Sequence, residues 1–159
     1  MIRETVERPA GRSMLIRWAA CPARPLLNIA MNTSSAKLWD GLGGEQVLAK
    51  VVDRFVDLAT TDPKVNYSRG GRYPINDATL RFSKRAALEF ISAATGGPYS
   101  YSGKTIRDIH AGMDISDQEF DAITAHFRRA LEESGVSQEL VQLAVGMVSA
   151  TRSHIVEVR

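Results

Sequence analysis

From Lys37 to the C-terminal end of this 159-residue chain, apolar residues recur three and four positions apart, and no stretch of useful length alternates apolar with polar. A period near 3.6 gathers such residues on one face of a helix, whereas a half-buried strand needs a period of two. The chain is therefore confined to packed helices, and glycine and proline decide where each one stops. Val47, Val51, Phe55, Leu58 and Ala59 form a stripe that ends where Asp62 precedes Pro63, because the residue before proline is pushed out of helical geometry. A second stripe, Leu80, Ser83, Ala87, Leu88, Phe90, Ile91 and Ala94, halts at Gly96-Gly97-Pro98. The third is Phe120, Ile123, Phe127, Ala130 and Leu131, and Gly135 breaks it. It opens on Ser116-Asp-Gln-Glu119, the pattern of a capping box. Ser137 is expected to cap the last helix, with Leu140, Leu143, Ala144, Met147, Thr151 and Ile155 on its inner face. Leu38-Trp39 stands before a glycine turn at Gly41, Gly43 and Gly44. Residues 65–77 read as a loop, with Asn76 or Asp77 capping the helix after it. The pattern predicts an all-α fold of about four main helices.

Residues 1–31 are different: rich in arginine and proline, with weak periodicity. Arg3, Arg8, Arg12, Arg17 and Arg24, against Glu4 and Glu7, account for all of the formal +2 net charge. The remainder is close to neutral, which gives no compositional sign of a nucleic-acid binder. Cys21 is the single cysteine, so no internal disulfide can form and nothing argues for an oxidising compartment. No apolar run reaches membrane-spanning length. Met14-Leu-Ile-Arg17-Trp18-Ala-Ala is too short and too interrupted for a secretory signal, and Trp18-Ala-Ala-Cys21 lacks the apolar region a lipoprotein box requires. We expect residues 1–36 to be an extension, either a disordered tail or a start assigned ahead of Met31, and residues 37–159 to be the domain. The expected location is cytoplasmic.

Candidate chemistry narrows quickly. The three histidines are His110, His126 and His154, and no two stand three or four residues apart, so a zinc site of the usual helical spacing is not encoded. There is no CxxC, no glycine-rich phosphate loop after a strand and no credible Ser-His-Asp set. Asp108 lies two residues from His110 and on a helix would not face it. His126 sits about a quarter turn off the third apolar stripe and reads as a surface or helix-contact residue. His154, near the end of the chain, reads as solvated. His110 is left, on a short helical segment between a glycine turn and the capping box. One imidazole beside an apolar slot suffices to bind a haem iron axially; the plain alternative is a capped surface histidine.

The residues around it resemble the truncated haemoglobins of group I, over about residues 37–157. Leu38-Trp39-Asp-Gly-Leu-Gly43-Gly44 is similar to the first glycine motif of that family. Ala94-Thr95-Gly96-Gly97-Pro98 with Tyr101-Ser-Gly103-Lys104 is similar to the second. Ile106-Arg-Asp-Ile-His110-Ala-Gly-Met113, followed by Ile115-Ser116 and Phe120, resembles the segment that carries the iron ligand. The resemblance implies a two-over-two helical sandwich holding haem b. His110 would ligate iron through Nε2, its other ring nitrogen donating to a backbone carbonyl. Ile106, Ile115, Phe120 and Ile123 would pack on that side or at the ring edge, and Lys104 or Lys84 would pair with a propionate. Phe55, Val56, Tyr67, Ser83, Ala87 and Ile91 would line the other side. There the chain departs from its relatives. Where they often have Phe-Tyr, with the tyrosine hydroxyl bonding to the gas ligand, it has Phe55-Val56. Ser83 and Ala87 stand where a glutamine or a bulky residue is frequent, and Ser68-Arg69 replaces the usual Phe-Phe. Tyr67 or Tyr73 is expected to take the place of that phenylalanine, and Tyr67, Tyr73 or Ser83 is the candidate donor, without which dioxygen is expected to be held weakly. The implied function is binding of dioxygen, nitric oxide or carbon monoxide by a monomer or weak homo-oligomer, with a separate reductase. The alternatives are a haem-free sensor or interaction module and a nitric oxide dioxygenase or peroxidase.

Overall fold

The computed structural model describes residues 35–158. All but the last two residues of the expected N-terminal extension, Cys21 included, lie outside that range. The helices are α1 (Ser35–Gly41), α2 (Gly44–Thr61), α3 (Asp77–Thr95), α4 (Ile106–His110), α5 (Asp117–Glu133), α6 (Gln138–Ser149) and α7 (Arg152–Ile155). No strand forms among the described residues; Ser116 and Val158 meet in one isolated bridge.

The predicted punctuation recurs in the structure, with two corrections. The Asn76 side chain accepts from the Ala78 and Thr79 amides, closing a capping box with Thr79. Ser116 and Glu119 form the reciprocal bonds of the second box. Asp62 ends α2 in extended geometry, and Gly96 ends α3 in the left-handed region. Ser137 occupies the cap position of α6, but its side chain makes no capping bond. The last stripe was also expected to be one helix, and it is two. The Ser149 hydroxyl donates to the Val145 carbonyl (2.9 Å) and the Thr151 hydroxyl to that of Val148 (2.7 Å). Hydroxyls that bond back to the preceding turn compete with the helical ladder, and the chain breaks between Ser149 and Arg152. The inner face of α6 is correspondingly Val141, Ala144 and Val145, while Leu143 is exposed.

α2 packs on both α3 and α5, and α5 on α6. These contacts among α2, α3, α5 and α6 are those of a two-over-two arrangement. Its centre is dry: Leu48, Val51, Leu131 and Val141 are fully buried, each worth roughly 1.5–3 kcal/mol of transfer free energy. Phe55 meets Phe127 edge to face at 5.8 Å. α1 is pinned by the turn after α3. A Cβ on Gly97 would lie 2.5 Å from the Trp39 ring and from the Ser92 Oγ, so only glycine lets the chain close there. Tyr99 then stacks its edge on Trp39 at 6.3 Å, and its amide donates to Ser92 Oγ (2.8 Å).

α3 is fully buried only at this end, but Leu88 and Ile91 also pack against the core. Ser92 and Thr95 are its buried residues, although Leu80, Ala87, Leu88, Phe90 and Ile91 give it an apolar flank. α4 and α7 have no buried residue and pack on each other.

Candidate functional site

α4 is five residues long and depends on its cap. Thr105 accepts from the Asp108 amide and donates its hydroxyl to the Asp108 carboxylate at 2.7 Å. Asp108 is therefore spent on the helix start and does not serve His110. At the other end, Nδ1 of His110 lies 2.7 Å from the Ile106 carbonyl oxygen. A carbonyl only accepts, so Nδ1 carries the proton and donates. The Nε2 lone pair is then free for an acid or a metal ion. Burial pushes the His110 pKa below its ordinary value, and the positive charge of Arg69 works in the same direction. The ring is held neutral near pH 7, the form in which imidazole ligates metals.

The residues expected on this side are only partly together. Ile106 and Ile123 are half-buried. Ile115 and Phe120 are buried, but Phe120 lies under the Arg152 guanidinium, 4.5 Å from its ring centre. Arg152 in turn pairs with Asp117 (2.6 Å) and Asp121. Phe120 thus packs at least partly against the C-terminal segment. On the other side, Val56 is buried in α2 and carries no donor. Phe55 belongs to the aromatic pair of the core. Ser83, Ala87 and Ile91 are half-buried on the α3 flank, as is Tyr67 in the loop before it. Tyr73 is 37% exposed and lies beneath the Arg72 guanidinium.

Lys84 is differently engaged from what was expected. Its ammonium sits 3.1 Å from Asp53 and 3.4 Å from Asp57, carboxylates one turn apart on α2, so it ties α3 to α2. Lys104 is exposed. His126 is a helix contact: Nε2 lies 2.7 Å from Asp62 Oδ2, with both side chains mostly buried. His154 is not simply solvated, because Arg107 donates to its Nδ1 at 2.9 Å. Among the described residues no three His, Cys, Asp or Glu converge on a metal position. An iron held by His110 would need its other ligands from a chelate of its own.

Three further residues surround His110 whose links the sequence did not reveal. Arg69, in left-handed geometry, pairs with Glu119 at 2.7 Å, both only 14% exposed. Arg72 donates to the Gly112 carbonyl (3.1 Å), and Glu157 accepts from the Gly112 and Asp114 amides. The loop 65–76 and the C-terminal segment therefore both close on the turn behind the histidine. No local pattern announces these links, which join residues 40 to 50 positions apart.

A flat apolar ring with a central metal needs two things from a protein: a neutral imidazole with a free nitrogen, and apolar surface the protein does not cover for itself. His110 supplies the first, and half-buried Leu80 and Ala87 on α3 are the candidates for the second, so the chemistry of these residues fits such a group.

Residues 37–157 match the bacterial-like globin family. Among curated proteins, the group 1 truncated haemoglobin GlbN of Mycolicibacterium paratuberculosis is 28% identical over 114 residues, covering 72% of this chain and 79% of that one. GlbN of a Nostoc species is 29% identical over 119 residues, 74% of this chain and 95% of that one. Among solved structures, truncated haemoglobin from Tetrahymena pyriformis in its Fe(III) form superposes with a TM-score of 0.66 at 24% identity, over 75% of this chain and 97% of that one. The group II protein of Bacillus anthracis gives 0.65 at 22% identity, over 76% and 91%.

Proposed function

The chain belongs to the bacterial-like globin family, as a group I truncated haemoglobin, a haem globin, and from that premise we propose that it holds haem b through His110 Nε2 and binds diatomic gases, dioxygen, nitric oxide and carbon monoxide among them. The observation that carries the reading is the 2.7 Å contact between His110 Nδ1 and the Ile106 carbonyl. It fixes the tautomer, aims the free nitrogen away from the backbone and makes the ring a better donor. The haem supplies the affinity for gases; the chain supplies orientation, an apolar surround and any hydrogen bond to the ligand. Ile106, Ile115, Phe120 and Ile123 flank the ligand helix or its neighbour, and Phe55, Val56, Ser83, Ala87 and Ile91 make the other side. With Lys84 committed to α2, Lys104 is the better partner for a propionate. On the same reading the protein is cytoplasmic, a monomer or weak homo-oligomer, and re-reduced by a separate reductase.

Val56 gives the gas no hydrogen-bond donor, so discrimination falls to the loop and α3. Tyr67 is more enclosed than Tyr73, and we assign it the donor role, with Ser83 second. Dioxygen gains more from such a bond than carbon monoxide or nitric oxide, because it draws more negative charge when bound. The first experiment is the visible spectrum of the haem-loaded chain beside His110→Ala. A Soret band that the substitution removes or shifts supports ligation by His110. An identical spectrum in both proteins would refute it.

A further inference from the structure

The turn after His110 places Gly112 (φ 72°) and Asp114 (φ 53°) in the left-handed region, on either side of Met113. Left-handed residues in a tight turn swing backbone N–H groups to one side and make a concavity for anions. Here the anion is the chain's own. Glu157 accepts from the Gly112 amide at Oε1 (2.8 Å) and from the Asp114 amide at Oε2 (2.7 Å). Those amides hold its carboxyl below the usual carboxylate range, and bonds to a charged acceptor are the strong kind. The segment that carries it is itself fastened to the chain beyond the turn. The Glu157 and Val158 amides both donate to the Ile115 carbonyl, at 2.9 and 3.1 Å. α7 packs along α4, with Arg107 bonded to His154. From the loop side, Arg72 holds the Gly112 carbonyl.

We infer that Glu157 is a positioning residue for His110: filling the amide concavity, it fixes the backbone on the C-terminal side of the imidazole. This rests on the proposed ligand role of His110. Two anchors then define one ring. The Ile106 carbonyl sets its plane from the preceding turn of helix, and Glu157 sets the backbone from which it projects. Without the carboxylate, Asp114 keeps a left-handed backbone with no partner for its amide, and the turn relaxes.

The test uses the full chain with Glu157→Gln and Glu157→Ala. Glutamine keeps the shape but presents one acceptor and one donor to two N–H groups. Hydrogen exchange at the Gly112 and Asp114 amides is expected to quicken about ten-fold or more in both variants, with the α2 core amides of Val51 and Val52 unchanged. Added acetate should slow exchange again in Glu157→Ala. In the reduced, haem-loaded protein the iron–histidine stretching band should move or broaden, and acetate should return it. Unchanged exchange at Gly112 and Asp114 would overturn the proposal. So would equal acceleration in α2, the mark of a general stabiliser, or an unaltered stretching band over a loosened turn. Failure of the underlying reading has its own signature, no iron–histidine band in the wild type, and the proposal would fall with it.

Discussion

The α2–α5–α6 core and the α3–α4 flank are built from similar residues and end in different states. In the core, Leu48, Val51, Leu131 and Val141 are fully covered by protein. On α3, Leu80, Ala87, Leu88, Phe90 and Ile91 are only half-buried, Leu88 and Ile91 against the core and Phe90 against Tyr101, and α4 has no fully buried residue. The core is a closed packing problem solved by the chain alone. α3 leaves apolar side chains partly uncovered, and on α4 the Ile106 carbonyl fixes which nitrogen of His110 carries the proton. If haem lies where we propose, substitutions in the core should act on stability, and those on α3 and α4 on haem and gas.

Leu131→Ala should break the core side of that contrast most severely. Truncating a buried leucine costs about 2–5 kcal/mol, and urea unfolding should show that loss in the haem-free chain. A loss under about 1 kcal/mol would mean the core repacks and is not the closed unit described. Ala87→Trp sharpens the other side. A bulky ring on the half-buried flank should leave haem-free stability within about 1 kcal/mol, as is usual away from packed sites, while lowering haem uptake about ten-fold or more. Full uptake would take Ala87 away from the haem. Tyr67→Phe is finer. A hydrogen bond to a charged acceptor contributes about 1.5–3 kcal/mol, so dioxygen should leave roughly ten times faster, with carbon monoxide release little changed; stopped-flow release of both gases measures it. Equal dioxygen release in both proteins would pass the donor role to Ser83.

The smallest effect belongs to the surface of the core. Arg54, and after it Arg129, pull the Glu133 carboxyl from its ordinary 4.5 down to about 2. A depressed carboxylate stabilises above the unfolded pKa, and that contribution is lost as pH falls through the folded one. Glu133→Gln should therefore flatten slightly the decline of stability between about pH 4.5 and 2. The group is exposed, so solvent screens most of it. An acid limb unchanged by the substitution would show that the pair contributes nothing measurable.

Local chemistry was legible in the chain and distant pairing was not. A cap at Asn76, the capping box at Ser116 and the stop at Asp62-Pro63 follow from neighbours within four residues, and the structure keeps them. The break after Ser149 was missed because an apolar stripe says nothing about hydroxyls bonding back to the ladder. The pairing of Lys84 with α2 was not legible, because a lysine's partner depends on which helix lies beside it, here α2 with Asp53 and Asp57. The partners of Glu157 and Arg69 carried no signal for the same reason: one closes a turn 43 and 45 residues earlier, the other a cap 50 residues later. The candidate site residues on α3 and α4 could be proposed only through family resemblance, since a half-buried flank and a core stripe share one period.

The most direct measurement is hydrogen exchange across α2, α3, α4 and α5 in the haem-free chain and after haem is added. Slower exchange in α3 and α4, with α2 and α5 changed far less, is the expected result. Equal slowing everywhere, or none in α3 and α4, would contradict the claim that this flank is the surface haem covers.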